Sequence, residues 1–323
     1  MSSAAFIEAF PDIIELARLA PSVHNTQPWI ISQVDSSIEV RLDKNHVLKD
    51  GDPTGRQTII SLGILAEAIM LAAANYGFKG QNIRLDDETL YIDFQSSKDA
   101  SADTKRNVDL LKSRCSDRSI YKSATLSDKQ VQNIEQLDIP SGVKVHVIRD
   151  KDHIEKIAGY TAKGIGLALS NPNFRKELSG YLVTPWSSKK RGISVKSLYI
   201  NPLLAACQPL FMRLGIGISR EVSLERKRWL SASAIIIITA DGDLSKFWFE
   251  SGRAYLRVSL AIEGLGLSQA TSAAIVEASN YHDDVEELLG TNQRIISVIR
   301  VGQGATSRKH SPRLEVADLT TLN

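Results

Sequence analysis

Two side-chain amides, Asn25 and Gln27, lie in a short polar loop with a proline on either side. Pro21 and Pro28 each fix their own φ and keep the residue before them out of the helical region. A loop held open in this way can present amide groups and backbone N–H groups to a flat, polar heterocycle. The loop chemistry alone also fits an ordinary helix-to-strand turn above a buried Trp29, and without further evidence that simpler interpretation is favoured.

A second candidate for chemistry is the segment RCSDR, residues 114–118, which has the form R-x-S-x-R. The guanidinium groups of Arg114 and Arg118 stay charged and match phosphate oxygens with two parallel donors. The pattern therefore suits a phosphate-bearing ligand. By itself it is weak, because a solvated helix end can show the same residues.

Composition excludes several classes of protein. A formal net charge of +2, from 39 basic and 37 acidic residues, gives no global field that favours nucleic acid or a membrane surface. Cys115 and Cys207 are too few for a disulfide framework or a zinc site, which suggests a reducing compartment. The N-terminus lacks a basic region with a long apolar run, so we expect a cytoplasmic protein without a signal peptide. No stretch is expected to span a membrane.

Hydrophobic periodicity predicts an α+β protein in two unequal parts, residues 1–105 and 106–323. A polar linker, residues 96–107, separates them. We expect strands within 32–45, 83–94, 144–150, 234–243 and 293–302, and helices at 6–19, 56–76, 108–113, 128–136, 151–170 and from 251 to the glycines Gly264 and Gly266.

Two apolar helical segments are similar to one another: TGRQTIISLGILAEAIMLAAANYGF, from Thr54, and SGRAYLRVSLAIEGLGL, from Ser251. Both begin with a small residue, Gly and Arg, and both stop at glycine. An internal duplication explains this likeness. Two unrelated buried helices explain it about as well.

The loop APSVHNTQPW resembles the signature loop of the FMN-dependent nitroreductase superfamily, A-P-S-x-x-N-x-Q-P-W. Pro21, Ser22, Asn25, Gln27, Pro28 and Trp29 all match that pattern. The likeness extends over nearly the whole chain, weakly between residues 160 and 225. Within the superfamily, the chain resembles the fused, internally duplicated branch that includes the Acg-type proteins of mycobacteria. It implies a mixed, mainly antiparallel sheet wrapped by helices, with two fused halves that form an intrachain pseudo-dimer.

The resemblance implies an FMN site divided between the two halves. The first half supplies the loop, and the second supplies R-x-S-x-R, the segment after the Gly264-Leu265-Gly266 turn and the basic tail. The implied cofactor contacts outside the loop are Arg114, Ser116, Arg118, Thr271, Ser272, Ala273, Arg308, Lys309 and Arg313. The second, degenerate site would lack both sets of contacts, so one chain would hold one FMN.

Several residues carry narrower expectations. Asn25 and Gln27 are expected to pair with flavin oxygens, the alternative being turn capping. Trp29 is expected to pack in the core, and His24 to be a solvated loop residue. Asp117 departs from the family pattern, because a carboxylate near a phosphate would repel it unless Arg114 or Arg118 neutralised the charge.

Residues 164–229, between two strands of the second half, form a long insertion with many aromatic and basic residues. Such an excursion is usually functional or mobile. We expect a lid, with Trp186, Lys189, Lys190 and Arg191 near its opening and residues 187–192 as its hinge. The alternative is a helical pair on the surface that is unrelated to the site.

The predicted function is hydride transfer from NADH or NADPH, through bound FMN, to a small electron-poor acceptor such as a nitroaromatic or a quinone. No catalytic side chain and no metal are required, because the flavin carries the chemistry. The alternatives are a flavin-sequestering protein with little turnover, and a scaffold that has lost FMN. Further self-association of the pseudo-dimer is left open.

Overall fold

The computed structural model describes residues 3–97, 100–199 and 201–321. Lys98 and Asp99 of the predicted linker, and Ile200 of the predicted insertion, lie outside the described residues. The described helices are α1 Ser3–Ala17, α2 Arg56–Asn75, α3 Ala102–Ser113, α4 Asp128–Glu135, α5 Lys151–Ser170, α6 Pro172–Gly180, α7 Pro202–Leu214, α8 Ile218–Leu230, α9 Ser245–Gly264, α10 Ala274–Glu277, α11 Tyr281–Leu289 and α12 Val316–Leu319.

The strands form two larger sheets and one small pair. They are β1 Trp29–Val34, β2 Ser37–Leu42, β3 Phe78–Asp86, β4 Thr89–Ser96, β5 Val143–Ile148, β6 Leu182–Val183, β7 Ile193–Ser194, β8 Ala234–Ala240, β9 Ser268–Thr271, β10 Arg294–Gly302 and β11 Thr320–Thr321. The predicted strands are all present, and the fold is the α+β, mainly antiparallel arrangement expected of a nitroreductase-like chain.

The two larger sheets share one topology. The first has the order β11-β1-β2-β4-β3 and the second β5-β8-β10-β9. In each, two antiparallel strands precede a long helix, α2 or α9, and two more antiparallel strands follow it. The two halves differ at one connection, because β1 and β2 are joined by a tight turn whereas α5 to α8 separate β5 from β8.

Helices α2 and α9 cross at Gly63 and Gly252, where their backbones touch. A Cβ atom on Gly63 would collide with the carbonyl oxygen of Phe249, and one on Gly252 with that of Ile60. When the first residues of the two helices are aligned, Gly63 falls on Gly252 and Ile60 on Phe249, so these contacts are reciprocal. This reciprocity is typical of a two-fold relation.

The same alignment corrects the predicted match between the two segments. Gly55 was aligned with Gly252, but Gly63 is the residue that lies opposite Gly252. Gly77 and Gly266, which follow the two helices, also fall together and have φ of +79° and +70°. Both end their helices in the left-handed conformation, which glycine adopts without steric cost.

The predicted boundary at residue 105 falls inside α3, so the polar linker is shorter than expected. Ser101 caps this helix, its hydroxyl oxygen accepting from the N–H of Thr104 at 3.1 Å. One hydrophobic core extends across both halves, from Ile13 and Trp29 to Ile236 and Leu256. The C-terminal strand β11 pairs with β1 of the first sheet, so the tail returns to the first half.

One described helix, α2, is long and apolar enough to span a membrane, contrary to the expectation from sequence. Most of its apolar stretch is buried within the protein, with 72% of the window covered. Asp52 caps its start, accepting from the N–H groups of Gln57 and Thr58 at 3.0 and 2.8 Å. A core helix of this kind satisfies the same length and hydropathy test.

Replacing Gly63 with alanine tests the helix crossing. The added methyl group has to push α2 and α9 apart, and overpacking of this kind lowers the free energy of unfolding by about 1–3 kcal/mol. Gly159→Ala is the matched control, because the space around Gly159 in α5 is open. That change should be neutral or stabilise by up to about 1 kcal/mol. Urea denaturation measures both, and equal stabilities would contradict the tight crossing.

Candidate functional site

The loop between α1 and β1 has a backbone that few residue types adopt easily. His24, Asn25 and Gln27 have φ of +44°, +55° and +47°. Non-glycine residues in this region carry strain that the surrounding structure must hold. Here the hydroxyl oxygen of Ser22 accepts from the N–H of Gln27 at 2.9 Å, and that of Ser61 in α2 accepts from the N–H of Val23 at 3.0 Å.

The two amides of the loop hold neighbouring segments of the chain. Asn25 donates from Nδ2 to the carbonyl oxygens of Gly192 and Pro312, at 2.9 and 2.8 Å, and accepts at Oδ1 from Arg313 at 2.7 Å. Gln27 donates to the carbonyl oxygen of Lys190 at 2.9 Å and accepts from the N–H of Leu314 at 2.9 Å. Both amides are therefore used within the protein, chiefly in contacts with the insertion and the tail and not in capping of the turn. Their pairing with flavin oxygens stays a prediction.

Pro28 and Trp29 support the loop from below. Both are buried, and the Trp29 side chain is 1% exposed within the main core. The carbonyl oxygen of Pro28 accepts from the N–H of Asp43 at 3.0 Å, which ties the loop to the end of β2. Neither residue lines a cavity described below, so their predicted part in a cofactor site would be to hold the loop in place. That part stays a prediction.

A cavity of about 610 Å³, here called the main cavity, opens beside this loop. From the predicted set it is lined by Pro21, Ser22, Ser116, Arg118, Thr271, Ser272 and Ala273. One face of α2 adds Gln57, Ile60, Ser61 and Ile64, and α9 adds Tyr255. The structure thus brings the loop of the first half beside two segments of the second half.

A smaller cavity of about 60 Å³, here called the basic cavity, adjoins it and shares Pro21, Ser22, His24, Ser116, Arg118 and Ile193 with the main cavity. Its further lining includes Asn25, Arg114, Lys309 and Arg313. Four cationic side chains from the α3 end and the C-terminal tail therefore meet at one place.

The charges of the basic cavity lack protein counterions. No carboxylate in the described part of the chain forms an ion pair with Arg114, Arg118 or Arg313, and Nε of both Arg114 and Arg313 has no hydrogen-bond acceptor. Burial, together with the charges of Arg114 and Arg18, lowers the pKa of Arg313 to about 9. Buried cations of this kind indicate an anionic ligand.

Arg308 differs from its neighbours in the tail. Its guanidinium forms a two-pronged ion pair with Glu263, with both N–O distances at 2.6 Å, and it does not line the basic cavity. Because its charge is already neutralised, the structure gives no support to the prediction that Arg308 binds the phosphate. Lys309 and Arg313 remain candidates.

Asp117 is turned into the protein. Its carboxylate accepts from the N–H groups of Ser119 and Ala305, both at 2.9 Å, and from the hydroxyl of Ser268 at 3.0 Å. Burial alone would raise the pKa of Asp117, but these hydrogen bonds outweigh it and lower the pKa. Asp117 therefore stays charged and is stabilised by backbone and hydroxyl donors. The expected repulsion of a phosphate, and its relief by Arg114 or Arg118, stays a prediction.

His24 is not the solvated histidine expected from sequence. It lines both cavities, lies edge-on to Phe174, and has no partner for Nδ1. Burial, and secondarily the charge of Arg118, lowers the pKa of His24 to about 4. The imidazole is neutral at physiological pH, and its unpartnered nitrogen can meet a polar ligand atom.

The insertion forms one wall of the main cavity. Leu167 and Phe174 come from α5 and α6, and Leu198 and Met212 lie further along the excursion. Trp186, expected near an opening, is 74% exposed and lines no described cavity. The excursion also begins earlier than residue 164, since α5 leaves the sheet directly after β5.

The predicted hinge is held to the loop. Arg191 donates to the carbonyl oxygen of Thr26 at 2.9 Å and pairs with Asp43 at 3.2 Å. The N–H of Gly192 donates to the carbonyl oxygen of Asn25 at 3.0 Å. Residues 190–192 are thus fastened by side-chain and backbone contacts, and the expectation of a freely lifting segment there was wrong.

Comparisons with known proteins agree with this geometry. No family model matches the chain. A Mycobacterium tuberculosis protein, provisionally named NAD(P)H nitroreductase acg, is 23% identical over 297 residues, which cover 90% of this chain and 87% of that protein. The chain is therefore similar to members of the nitroreductase superfamily. A second M. tuberculosis protein with the same kind of name is 34% identical over 90 residues, and this match spans only about a quarter of its length, 26%.

Solved nitroreductases are also similar to this chain. The FMN-dependent nitroreductase NfnB of Mycobacterium smegmatis, solved with NADPH, has 15% identity and a TM-score of 0.42, with 68% of this chain and 98% of that chain covered. A nitroreductase of Desulfitobacterium hafniense, solved with FMN, has 14% identity and a TM-score of 0.44, with 68% and 98% covered.

Sequence reasoning missed several residues that line the main cavity. Gln57, Ile60, Ser61 and Ile64 recur at helical spacing, and they line the cavity from a helix that was expected only to be buried. The polar Gln57 and Ser61 on that apolar helix were the available signal. Tyr255 carried no signal, since a tyrosine in an apolar helix is common in protein cores.

His24→Asn tests the buried neutral histidine, since asparagine stays uncharged and tolerates positive φ. In the folded native chain the His24 imidazole stays neutral down to about pH 4, whereas in the unfolded chain it takes up a proton below its ordinary pKa of 6.5. Stability is therefore full above pH 6.5 and falls by at most about 3 kcal/mol as pH drops to about 4. The variant should lose this pH dependence.

Denaturation series across that pH range measure the effect. His153→Asn is the control, because His153 lies at the exposed start of α5. A native slope that persists in His24→Asn would show that another group is responsible.

Proposed function

We propose that this chain is an FMN-dependent NAD(P)H oxidoreductase that reduces a small electron-poor acceptor. The observation that carries the proposal is the basic cavity, in which buried cations without counterions meet at one end of a larger cavity. The residues present fit FMN, since the phosphate would neutralise those cations and the ring system would occupy part of the main cavity. The name of the mycobacterial relative supports the same activity.

The phosphate-bearing arm would be held by Arg114, Arg118, Lys309 and Arg313. Arginine suits this role because its planar donors stay charged and meet phosphate oxygens in pairs. Ser116, which lines both cavities, would serve the ribityl chain between the phosphate and the ring. Bound phosphate would also offset the cost of burying Nε of Arg114 and Arg313, which has no acceptor among the described residues.

The ring would lie in the main cavity, where Pro21 and Ser22 approach from the loop and Thr271–Ala273 from the end of β9. FMN supplies the redox chemistry, taking a hydride from NAD(P)H and passing it to the acceptor. The protein's part is to bind and orient the ring, to offer polar groups to its edge and to exclude water. The loop amides Asn25 and Gln27 would act by holding this arrangement together.

We propose one FMN per chain, and the side chains of the second half support this. We infer an internal duplication from the shared sheet topology and the reciprocal crossing of α2 and α9. In that register Ser61 and Ile64, which line the main cavity, correspond to Glu250 and Arg253. Glu250 and Arg253 pair at 2.9 Å.

Glu67 extends this ion pair into a network. It binds Arg253 at 3.1 Å and Arg257 at 2.6 Å, across the interface between α2 and α9. The α9 face that corresponds to the cavity face of α2 is therefore occupied by paired side chains. A flavin ring there would have to displace them and leave partly buried charges without partners, which is costly.

Arg114→Ala tests the phosphate contact. Loss of a charge-assisted hydrogen bond costs roughly 1.5–3 kcal/mol, so FMN affinity should fall by about one to two orders of magnitude. Riboflavin has the same ring without the phosphate, and its affinity should change little. Quenching of flavin fluorescence measures both affinities.

Lys112→Ala is the matched control for that experiment. It removes a positive charge from the same helix, but Lys112 is exposed and near Asp109. Its FMN affinity should match that of the native chain. Equal losses of FMN and riboflavin in Arg114→Ala would assign Arg114 a structural role instead of a phosphate contact.

Purified protein should contain one FMN per chain, measured as released flavin against protein. Anaerobic NADPH should then bleach the flavin absorbance, and a nitroaromatic or a quinone should restore it. A ratio near two would contradict the blocked second site. Flavin that stays oxidised with NADPH and with NADH would instead indicate a protein that sequesters FMN.

A further inference from the structure

A third cavity, here called the apolar channel, extends the main cavity away from the basic end. Its volume is about 200 Å³, and it lies among α7, α8 and the turn between them. Leu169, Leu198, Gln208, Met212, Glu221 and Arg228 line both spaces, so the two adjoin. Beyond them the channel is lined mainly by apolar side chains, among them Leu204, Phe211, Ile216, Ile218 and Leu224.

The outer end of the channel reaches the surface through apolar residues. Leu204 and Ile216 both line the channel and are 46% and 56% exposed. Exposed apolar side chains at the edge of a cavity indicate a binding groove more often than a neutral surface. The channel therefore extends from exposed apolar side chains to a junction with the main cavity at which Gln208, Glu221 and Arg228 also lie.

Polar groups lie at the inner end of the channel. Arg228 is buried and pairs with Glu221 and Glu225 at 3.0 and 3.1 Å, so its charge is balanced. Arg118 lies further in and donates to the hydroxyl of Ser197 at 3.3 Å. Polar and charged side chains thus lie where the two spaces meet, and the rest of the channel is lined by apolar side chains together with Arg220.

We propose that the apolar channel holds the hydrocarbon tail of the electron acceptor, whose polar, reducible head occupies the main cavity. This rests on the proposed function and narrows its substrate class to an amphipathic acceptor, such as a quinone with an alkyl or isoprenoid tail. A compact nitroaromatic would fill the main cavity and leave the channel unused. The insertion, which supplies the walls of the channel, is then the part of the chain that selects the acceptor.

The reaction balances with the donor already named. NAD(P)H gives up a hydride and becomes NAD(P)⁺, and the quinone takes that hydride and one proton from water to become the hydroquinone. The tail takes no part in the chemistry. It contributes binding free energy, because each methylene group removed from water tightens binding by about threefold to fourfold.

A series of benzoquinones with one head group tests the proposal, using a tail-less, a butyl and a decyl member. Binding to the FMN-loaded protein is measured without NAD(P)H, by displacement of a fluorescent fatty acid and below the concentrations at which the quinones self-associate. The decyl compound should bind at least about tenfold more tightly than the butyl compound. Its KM should fall in parallel when NADPH is added.

Ile216→Glu places a charge at the mouth of the channel and should abolish the advantage of the decyl tail. Leu210→Glu is the matched control, since Leu210 is also 56% exposed on this part of the insertion but lines neither cavity. It should keep the dependence on tail length. Circular dichroism and FMN content establish that both variants fold.

Two results would overturn the proposal: equal affinities for the tail-less and decyl quinones, or a tail dependence that survives Ile216→Glu. Failure of the proposed function is detected by a different measurement, the oxidation of NAD(P)H. In that case the FMN-loaded protein oxidises no NAD(P)H with the tail-less quinone, while the displacement measurement still decides whether the channel binds a tail.

Discussion

The contact between Gly63 and Gly252 is the constraint on which the rest of the structure depends. Two backbones can approach this closely only where neither residue has a Cβ atom, and the crossing fixes the distance between the two sheets. It also places one face of α2 opposite the segment after β9. Both helices line the main cavity, α2 with Gln57, Ile60, Ser61 and Ile64 and α9 with Tyr255.

The same scaffold is used differently on its two sides. On one side small and apolar residues of α2 leave a space, and cations from α3 and the tail meet beside it without counterions. On the other side Glu67, Glu250, Arg253 and Arg257 form a network of ion pairs between the two helices. Unpaired buried charge lowers stability unless a ligand compensates, so the first side is suited to binding and the second to holding the halves together.

Much of the fold follows from local patterns in the sequence. The strands and the long helices are predictable because their apolar residues recur with periods of two or 3.6, and Asp52 and Gly77 mark the ends of α2. The register of α2 against α9 is not predictable, since similar letters at Gly55 and Gly252 suggested a different alignment from the one that the crossing imposes. Short elements such as β9 and β11 depend on pairing with distant strands, and no local signal identifies them.

In the candidate site, the sequence indicates which residues come together, but only the packing of the folded chain determines where each side chain points. The family resemblance identified eight of the twelve residues that line the basic cavity, but it could not give the direction of each side chain. Asp117 looked like a charge that would repel a phosphate and Arg308 like part of a phosphate site, and both are instead partnered within the protein. Whether a charge faces a ligand or a protein group depends on contacts with residues far along the chain.

Asn25 and Gln27 also show that contacts far along the chain decide what a side chain binds. Their amides look like ligand contacts, yet each joins the loop to the insertion at residues 190–192 and to the tail at residues 312–314. Side-chain amides suit this task because each can donate and accept at once. The tail carries Arg313, and the insertion forms one wall of the main cavity. Any movement of this loop would therefore alter both the basic cavity and the main cavity. The loop is therefore a junction that sets the relative positions of the two ends.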